Sequence, residues 1–203
     1  MTLPPAAPPV PESPDAPRRP LLRRIWREWV LGAILPIWLL ITFGFTLARV
    51  DGNSMNPTLH SGDVALLLKY PRWLRAWGLN GLISGSGYPR RGDIVVFRAP
   101  AGSEYAYQQG LFGRYRPYNI KRVVGLPGET VSVAGGQVRI DGKVLSEAYT
   151  SAQTPSDEPP VKVPAGSIYV LGDNRILGES VDSRFYGPVP LSEVAGPANL
   201  HLP

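Results

Sequence analysis

The chain has 203 residues, with 23 prolines, 22 glycines, no cysteine, two histidines and a formal net charge of +5. Without thiols there is no disulfide frame, no cysteine nucleophile and no Cys-ligated zinc or iron–sulfur site. Two histidines, His60 and His201, leave little for a His-rich metal site, so neither metal nor cofactor is expected.

Residues 1–20 hold eight prolines and only Leu3 and Val10 as sizeable aliphatics, too few to bury a core. A basic cluster follows: Arg18, Arg19, Arg23, Arg24 and Arg27, closed by Glu28. Residues 29–48 (WVLGAILPIWLLITFGFTLA) carry no charge. At a rise of ~1.5 Å each, they span ~30 Å, the hydrocarbon thickness of a bilayer. The run has no polar face, and Trp26 and Trp29 sit at interfacial depth. A transmembrane helix is expected, with Pro36 tolerated inside it.

Five arginines precede the run, while Arg49 and Asp51 cancel after it. The positive-inside rule then gives a disordered cytoplasmic arm (1–24), a single anchor helix (25–49) and an extracytoplasmic domain (50–203) in a cell-membrane protein. A cleaved secretory signal competes. The run is longer than an h-region, however, and Thr46-Leu47-Ala48 is a poor cleavage site. Residues 49–203 carry 16 basic and 13 acidic groups with no dense basic stripe. The expected partner surface is therefore a lipid bilayer and not a nucleic acid.

The outer segment reads as mainly β. Short β-rich runs lie at 64–69, 94–98, 118–124, 130–133, 137–140, 143–145 and 167–171. Asp141-Gly142 is a two-residue hairpin signal, and Gly135-Gly136 turns the hairpin before it. No long amphipathic helix stands out. Residues 70–90 and 151–160 read as loops or insertions. The first contains Trp73 and Trp77, which would lie on a bilayer or pack on their own domain.

Hydrolysis at a carbonyl needs a nucleophile, a base and an oxyanion site. The two histidines look like surface residues, which leaves lysine as the other base. Of Lys69, Lys121, Lys143 and Lys162, only Lys121 sits mid-strand, where loss of water would lower its pKa from ~10.4. An edge-strand lysine reaching solvent is the competing reading. Ser54 lies in the turn-forming stretch Gly52-Asn53-Ser54-Met55-Asn56-Pro57, five residues beyond Arg49. Taken alone, it is an ordinary loop serine.

The motifs carry more when taken in order. Ser54-Met55-Asn56-Pro57-Thr58-Leu59 is followed by Arg91-Gly92-Asp93-Ile94-Val95-Val96-Phe97. Then come Lys121-Arg122-Val123-Val124-Gly125-Leu126-Pro127-Gly128-Glu129, Gly172-Asp173-Asn174-Arg175 and Ser180-Val181-Asp182-Ser183-Arg184. This series resembles bacterial type I signal peptidase (leader peptidase) over residues 29–190. The resemblance implies a signal-peptidase-like β catalytic domain behind one N-terminal transmembrane helix. It implies a membrane serine endopeptidase that removes signal peptides with small residues at −1 and −3.

By the same resemblance, Ser54 stands at the nucleophile and Lys121 at the general base. Asp173, Arg175, Asp182, Arg184 and Arg122 stand at supporting positions. Val50, Gly52, Met55 and Ile120 stand at substrate-binding ones. Gly52 occupies a place where some members carry a serine that serves as second oxyanion donor. Four residues, Ile176-Leu177-Gly178-Glu179, stand where two are usual. Counting back from Asp182, Ser180 matches the serine that hydrogen-bonds the lysine; counting forward, the slot is Gly178, and Ser180 is the expected supporting residue because only a hydroxyl can orient an amine. A self-cleaving Ser/Lys relative and a catalytically impaired homologue acting in binding or assembly are the alternatives.

Overall fold

The computed structural model describes residues 26, 28–79, 89–150, 152–198 and 200–202. The predicted arm 1–24 and residues 80–88 of the predicted 70–90 loop lie outside these residues. The chain divides into two units, one up to Leu39 and one from Leu40 onward.

In the first unit, Val30–Ile34 forms a wide π-type turn and Leu35–Leu39 an α-helical one. Trp29, Leu31, Ile34, Ile37 and Trp38 are all exposed. Among the described residues no helix is long and apolar enough to cross a membrane.

The second unit opens with another π-type turn, Leu40–Gly44, and then becomes β. The strands are β1 (Phe45–Arg49), β2 (Val64–Leu68), β3 (Ile94–Phe97), β4 (Gln108–Gly110), β5 (Gly113–Tyr115), β6 (Asn119–Gly125) and β7 (Thr130–Ala134). After them come β8 (Gln137–Ile140), β9 (Lys143–Val144), β10 (Glu158–Lys162), β11 (Ser167–Leu171), β12 (Val189–Pro190), β13 (Val194–Pro197) and β14 (Leu200–Leu202). They form sheets of order β1-β2-β14, β10-β7-β8-β9, β12-β11-β6-β3-β13 and β4-β5. The short helices are α1 (Tyr70–Ala76), with a proline in its first turn, and α2 (Ser183–Tyr186).

Three expectations are corrected. The anchor helix was expected to run to residue 49, yet Phe45–Arg49 is β1, antiparallel to β2 over five residues. Its burial alternates, with Thr46 and Ala48 turned inward, so an uncharged run that suits a helix here meets a strand partner instead. The 70–90 region contains α1, whose Trp73 packs on Phe43 with ring centroids 5.0 Å apart. The 151–160 region ends in β10, where Pro159 and Pro160 are accommodated because β10 is an edge strand with a bulge between Glu158 and Val161.

The hairpin signals are visible directly. Asp141 and Gly142 both take positive φ (48° and 78°), as a two-residue primed turn between twisted strands requires. The apolar residues gather in three clusters. One, with Val50, Met55, Leu59, Leu67, Ile94 and Val96, lies beneath the β1–β2 loop. Another, with Val124, Val131, Val133, Val138, Val163, Tyr169 and Leu171, joins the four- and five-stranded sheets.

Candidate active site

Ser54 sits in the loop between β1 and β2. The loop is closed at its base by Val50 N–H to Asp63 O (2.8 Å) and Gly62 N–H to Val50 O (3.0 Å). Within it, Asn56 N–H donates to Asn53 O and Leu59 N–H to Met55 O, giving one helical turn. Met55 and Leu59, four apart on one face, plunge into the core and hold that turn down. From the opposite side, Asn174 N–H donates to the Ser54 carbonyl (3.1 Å) and Asn174 Nδ2 to the Asn53 carbonyl (3.1 Å). Among the described residues no acceptor takes the Ser54 N–H.

Lys121 is the third residue of β6, the middle strand of the five-stranded sheet, and only 5% of it is exposed. Its Nζ lies 2.6 Å from Ser54 Oγ and also donates to Ile120 O at 2.9 Å. Burial lowers its pKa from 10.5 to about 8, and the carboxylates of Asp182 and Asp173 oppose that shift without cancelling it. At pH 7 roughly a tenth of this lysine is therefore a neutral amine able to accept a hydroxyl proton, against less than about one part in a thousand for an unperturbed lysine.

Three arginines brace the surroundings. Arg122 makes a bidentate pair with fully buried Asp173, through Nε at 2.8 Å and Nη2 at 2.5 Å. It also donates to Gly92 O and lies over the Tyr149 ring, 4.1 Å from its centroid. Arg184 pairs with Asp182 through Nε and Nη2, both at 2.8 Å. Arg175, almost wholly buried, donates to Gly172 O, Thr154 Oγ1 and Glu147.

Ser180 is buried with its side chain against Gly172, whereas Gly178 is exposed. Ser180 is thus the buried one of the two candidates, and residues 176–179 form an exposed loop before it. The expected hydrogen bond from Ser180 to the lysine is corrected, however. The Ser180 hydroxyl donates to Asp182 Oδ2 (2.8 Å), the carboxylate oxygen that also takes the Gly172 N–H (3.0 Å).

A cleft of about 330 Å³ runs beside Ser54, walled by residues 48–54 on one side and 118–121 on the other. Val50, Gly52 and Ile120 line it together with Ser54 and Lys121. Met55 does not. It is 1% exposed and belongs to the core, so its expected substrate contact is corrected. Asn119, Ile120 and Lys121 pair with β3, but β11 joins β6 only from Arg122 onward. Among the described residues, the first residues of β6 thus have no strand partner on their β11 side, and β1 is the outer strand of its own sheet.

Sequence reasoning passed over Asn174 as a site residue, although it stands inside the quoted Gly172-Asp173-Asn174-Arg175. It also passed over Glu147, Tyr149 and Thr154. These lie in connecting segments with no motif, and they meet Arg175 and Arg122 only through folding.

The model of the signal peptidase, peptidase S26, family matches residues 23–202. Signal peptidase I of Leptolyngbya laminosa is 39% identical over 157 residues, covering 77% of this chain and 68% of that protein. Signal peptidase I of Bacillus licheniformis is 33% identical over 183 residues, covering 83% and 84%. A crystal structure of a signal peptidase I from Enterococcus faecalis V583 is 30% identical, covers 54% of this chain and 96% of its own, and has a TM-score of 0.42. The chain belongs to the signal peptidase, peptidase S26, family and is a serine peptidase.

Proposed function

We propose that the chain is a membrane-anchored endopeptidase that removes signal peptides from exported preproteins, with Ser54 as nucleophile and Lys121 as general base. The observation that carries this reading is the 2.6 Å approach of a buried, pKa-lowered amine to the Ser54 hydroxyl. Neutral Lys121 takes the Oγ proton as Oγ attacks the scissile carbonyl. The resulting ammonium gives that proton to the departing amine. Lys121, neutral again, then activates a water that hydrolyses the Ser54 ester.

The Ser54 N–H is the first oxyanion donor; Gly52 has no side chain to supply a second, so a backbone group or water serves there. The extended substrate lies between residues 48–54 and the start of β6, on the side that β11 does not reach, adding main-chain hydrogen bonds as an extra strand does. Its −1 and −3 side chains face the cleft beside Val50 and Ile120, where limited room favours small residues. Asp173, Arg175, Asp182, Arg184, Arg122 and Ser180 position the pair without touching substrate.

The uncharged run from Trp29, preceded by five arginines, supports a single anchor with residues 1–24 in the cytoplasm and the β domain outside. Purified protein in detergent is expected to cleave a preprotein, and Ser54→Ala and Lys121→Ala to abolish the cleavage. Full activity in both variants would refute the mechanism.

A further inference from the structure

The Ser54 cleft does not end at Ala48. A second hollow, of about 450 Å³, continues from it along β1, and Ala48, Val96 and Tyr118 line both spaces. Burial alternates along β1, so Thr46 and Ala48 share a face with Val50. Val50 lines the cleft, Ala48 the junction and Thr46 the hollow. Among the described residues β1 pairs only with β2, which leaves its other edge open to a further strand.

The two spaces differ in size and chemistry. The hollow is the larger, and buried Val96 and Ala195 give it apolar surface. The half-buried Trp73 ring of α1 adds more, held by Phe43 with ring centroids 5.0 Å apart. Two cations also line it: Arg72, which is exposed, and Lys69, whose Nζ donates to Ile41 O at 2.9 Å. Among the described residues no carboxylate lines it. Such a space suits a bulky uncharged side chain and repels a basic one.

An extended substrate with its −1 carbonyl at Ser54 runs, toward its amino end, past Val50 and Ala48 to Thr46. Alternate side chains of an extended chain share a face. If −1 and −3 face the cleft, −5 and −7 face the hollow, the last of them ~13 Å beyond −3 at ~3.3 Å per residue. Signal peptides carry an apolar stretch ahead of their small cleavage-site residues. We propose that the hollow is a second substrate subsite, which takes bulky apolar side chains at −5 and −7 against Trp73 and rejects basic ones through Lys69 and Arg72. The inference rests on the peptidase reading above.

The full chain in detergent is given peptides running from −9 to +3 with Ala at −1 and −3. One carries Leu at −5 and −7, one carries Leu at −6 and −8 instead, and two carry Ala or Lys at −5 and −7. The first should exceed the Ala peptide and the −6/−8 peptide about tenfold in kcat/KM, and the Lys peptide should be the poorest. Trp73→Ala should bring the Leu-to-Ala ratio close to one. Because Trp73 also packs on Phe43, Arg72→Glu at an exposed position gives an independent reading: the Lys-to-Ala ratio should rise about fivefold.

Equal cleavage of the −5/−7 and −6/−8 Leu peptides overturns the subsite. A Leu-to-Ala ratio that persists in Trp73→Ala, or a Lys-to-Ala ratio unmoved by Arg72→Glu, also overturns it. A −5/−7 preference that vanishes when phospholipid is added to the micelles means that an acyl chain fills the hollow, and overturns it too. Anisotropy of the same peptides, labelled with fluorescein, reads binding to Ser54→Ala. Tighter binding of the −5/−7 Leu peptide there, when the wild-type chain cleaves nothing, upholds the subsite while refuting the peptidase mechanism.

Discussion

Gly172 is pressed against the backbone of Ser54: a Cβ on Gly172 would lie 2.5 Å from the Ser54 carbonyl oxygen and 2.3 Å from Ser180 Oγ. The neighbour on one side is backbone, which cannot swing away. Asn174, two residues on, donates to that same carbonyl, so the end of β11 and the nucleophile loop are held as one piece. Gly172→Ala should therefore destabilise by about 1–3 kcal/mol and move Ser54 out of line with Lys121. Denaturant titration and peptide hydrolysis together check this. The expected kinetic loss, on the order of 100-fold, should fall on kcat more than on KM.

The Lys121 amine must be neutral to accept the Ser54 proton. Peptide hydrolysis should rise with pH through an apparent pKa of about 8 and then level off. Asp182→Asn should move that midpoint lower, because the Asp182 carboxylate favours the ammonium and Arg184 would lose its counter-charge. A midpoint that stays put or rises in this variant would show that Asp182 does not influence the amine.

The same burial makes Lys121 a stability liability. Its folded pKa, about 8, is below the unfolded value, so between these two values the unfolded chain binds the extra proton and stability rises with pH. Below about 8 both states are protonated, and the full burden, on the order of 3 kcal/mol, is present. Lys121→Met should be inactive yet more stable than wild type at pH 7. The gain should shrink as pH rises toward 10, as measured by urea unfolding at several pH values.

Arg122 and Asp173 form a largely buried bidentate pair that no surface pair here matches in burial. Asp173→Ala leaves the Arg122 guanidinium uncompensated beside Tyr149 and should cost about 3–5 kcal/mol. The Arg91–Glu129 pair, with side chains 29% and 22% exposed, is partly screened by solvent. Glu129→Gln should cost about 1 kcal/mol or less. Parallel thermal and denaturant unfolding of the two variants checks the contrast.

Residues 176–179 bulge outward, with Ile176 and Leu177 57% and 76% exposed, while Ser180 keeps its contact with Gly172. Deleting Ile176 and Leu177 should leave stability within about 0.5 kcal/mol and leave peptide hydrolysis close to wild type. A loss of activity with intact stability would show that the loop shapes the cleft next to Glu179 and Val181, which line it.

The short strands and their turns were legible in the sequence because a hairpin is local. Asp141-Gly142 and Gly135-Gly136 name their own turns, and alternating apolar residues name the face that is buried. The residues of the site could be named from ordered motifs, along with the chemistry that a chain without cysteine and with two histidines can run. What the amino-acid order left open was everything that depends on neighbours far along the chain. The uncharged run 29–48 fits a helix throughout, and only pairing with β2 makes Phe45–Arg49 a strand. Ser180 could be preferred to Gly178 for its hydroxyl, but that this hydroxyl packs on Gly172 and bonds Asp182 instead of Lys121 comes only from the fold. Lys121 on a strand is an ordinary solvated cation until β3 pairs with it and Ser54, 67 positions away in sequence, is brought to 2.6 Å. Proton affinity follows the water and charges around an amine, and those are properties of the folded chain, not of residue order.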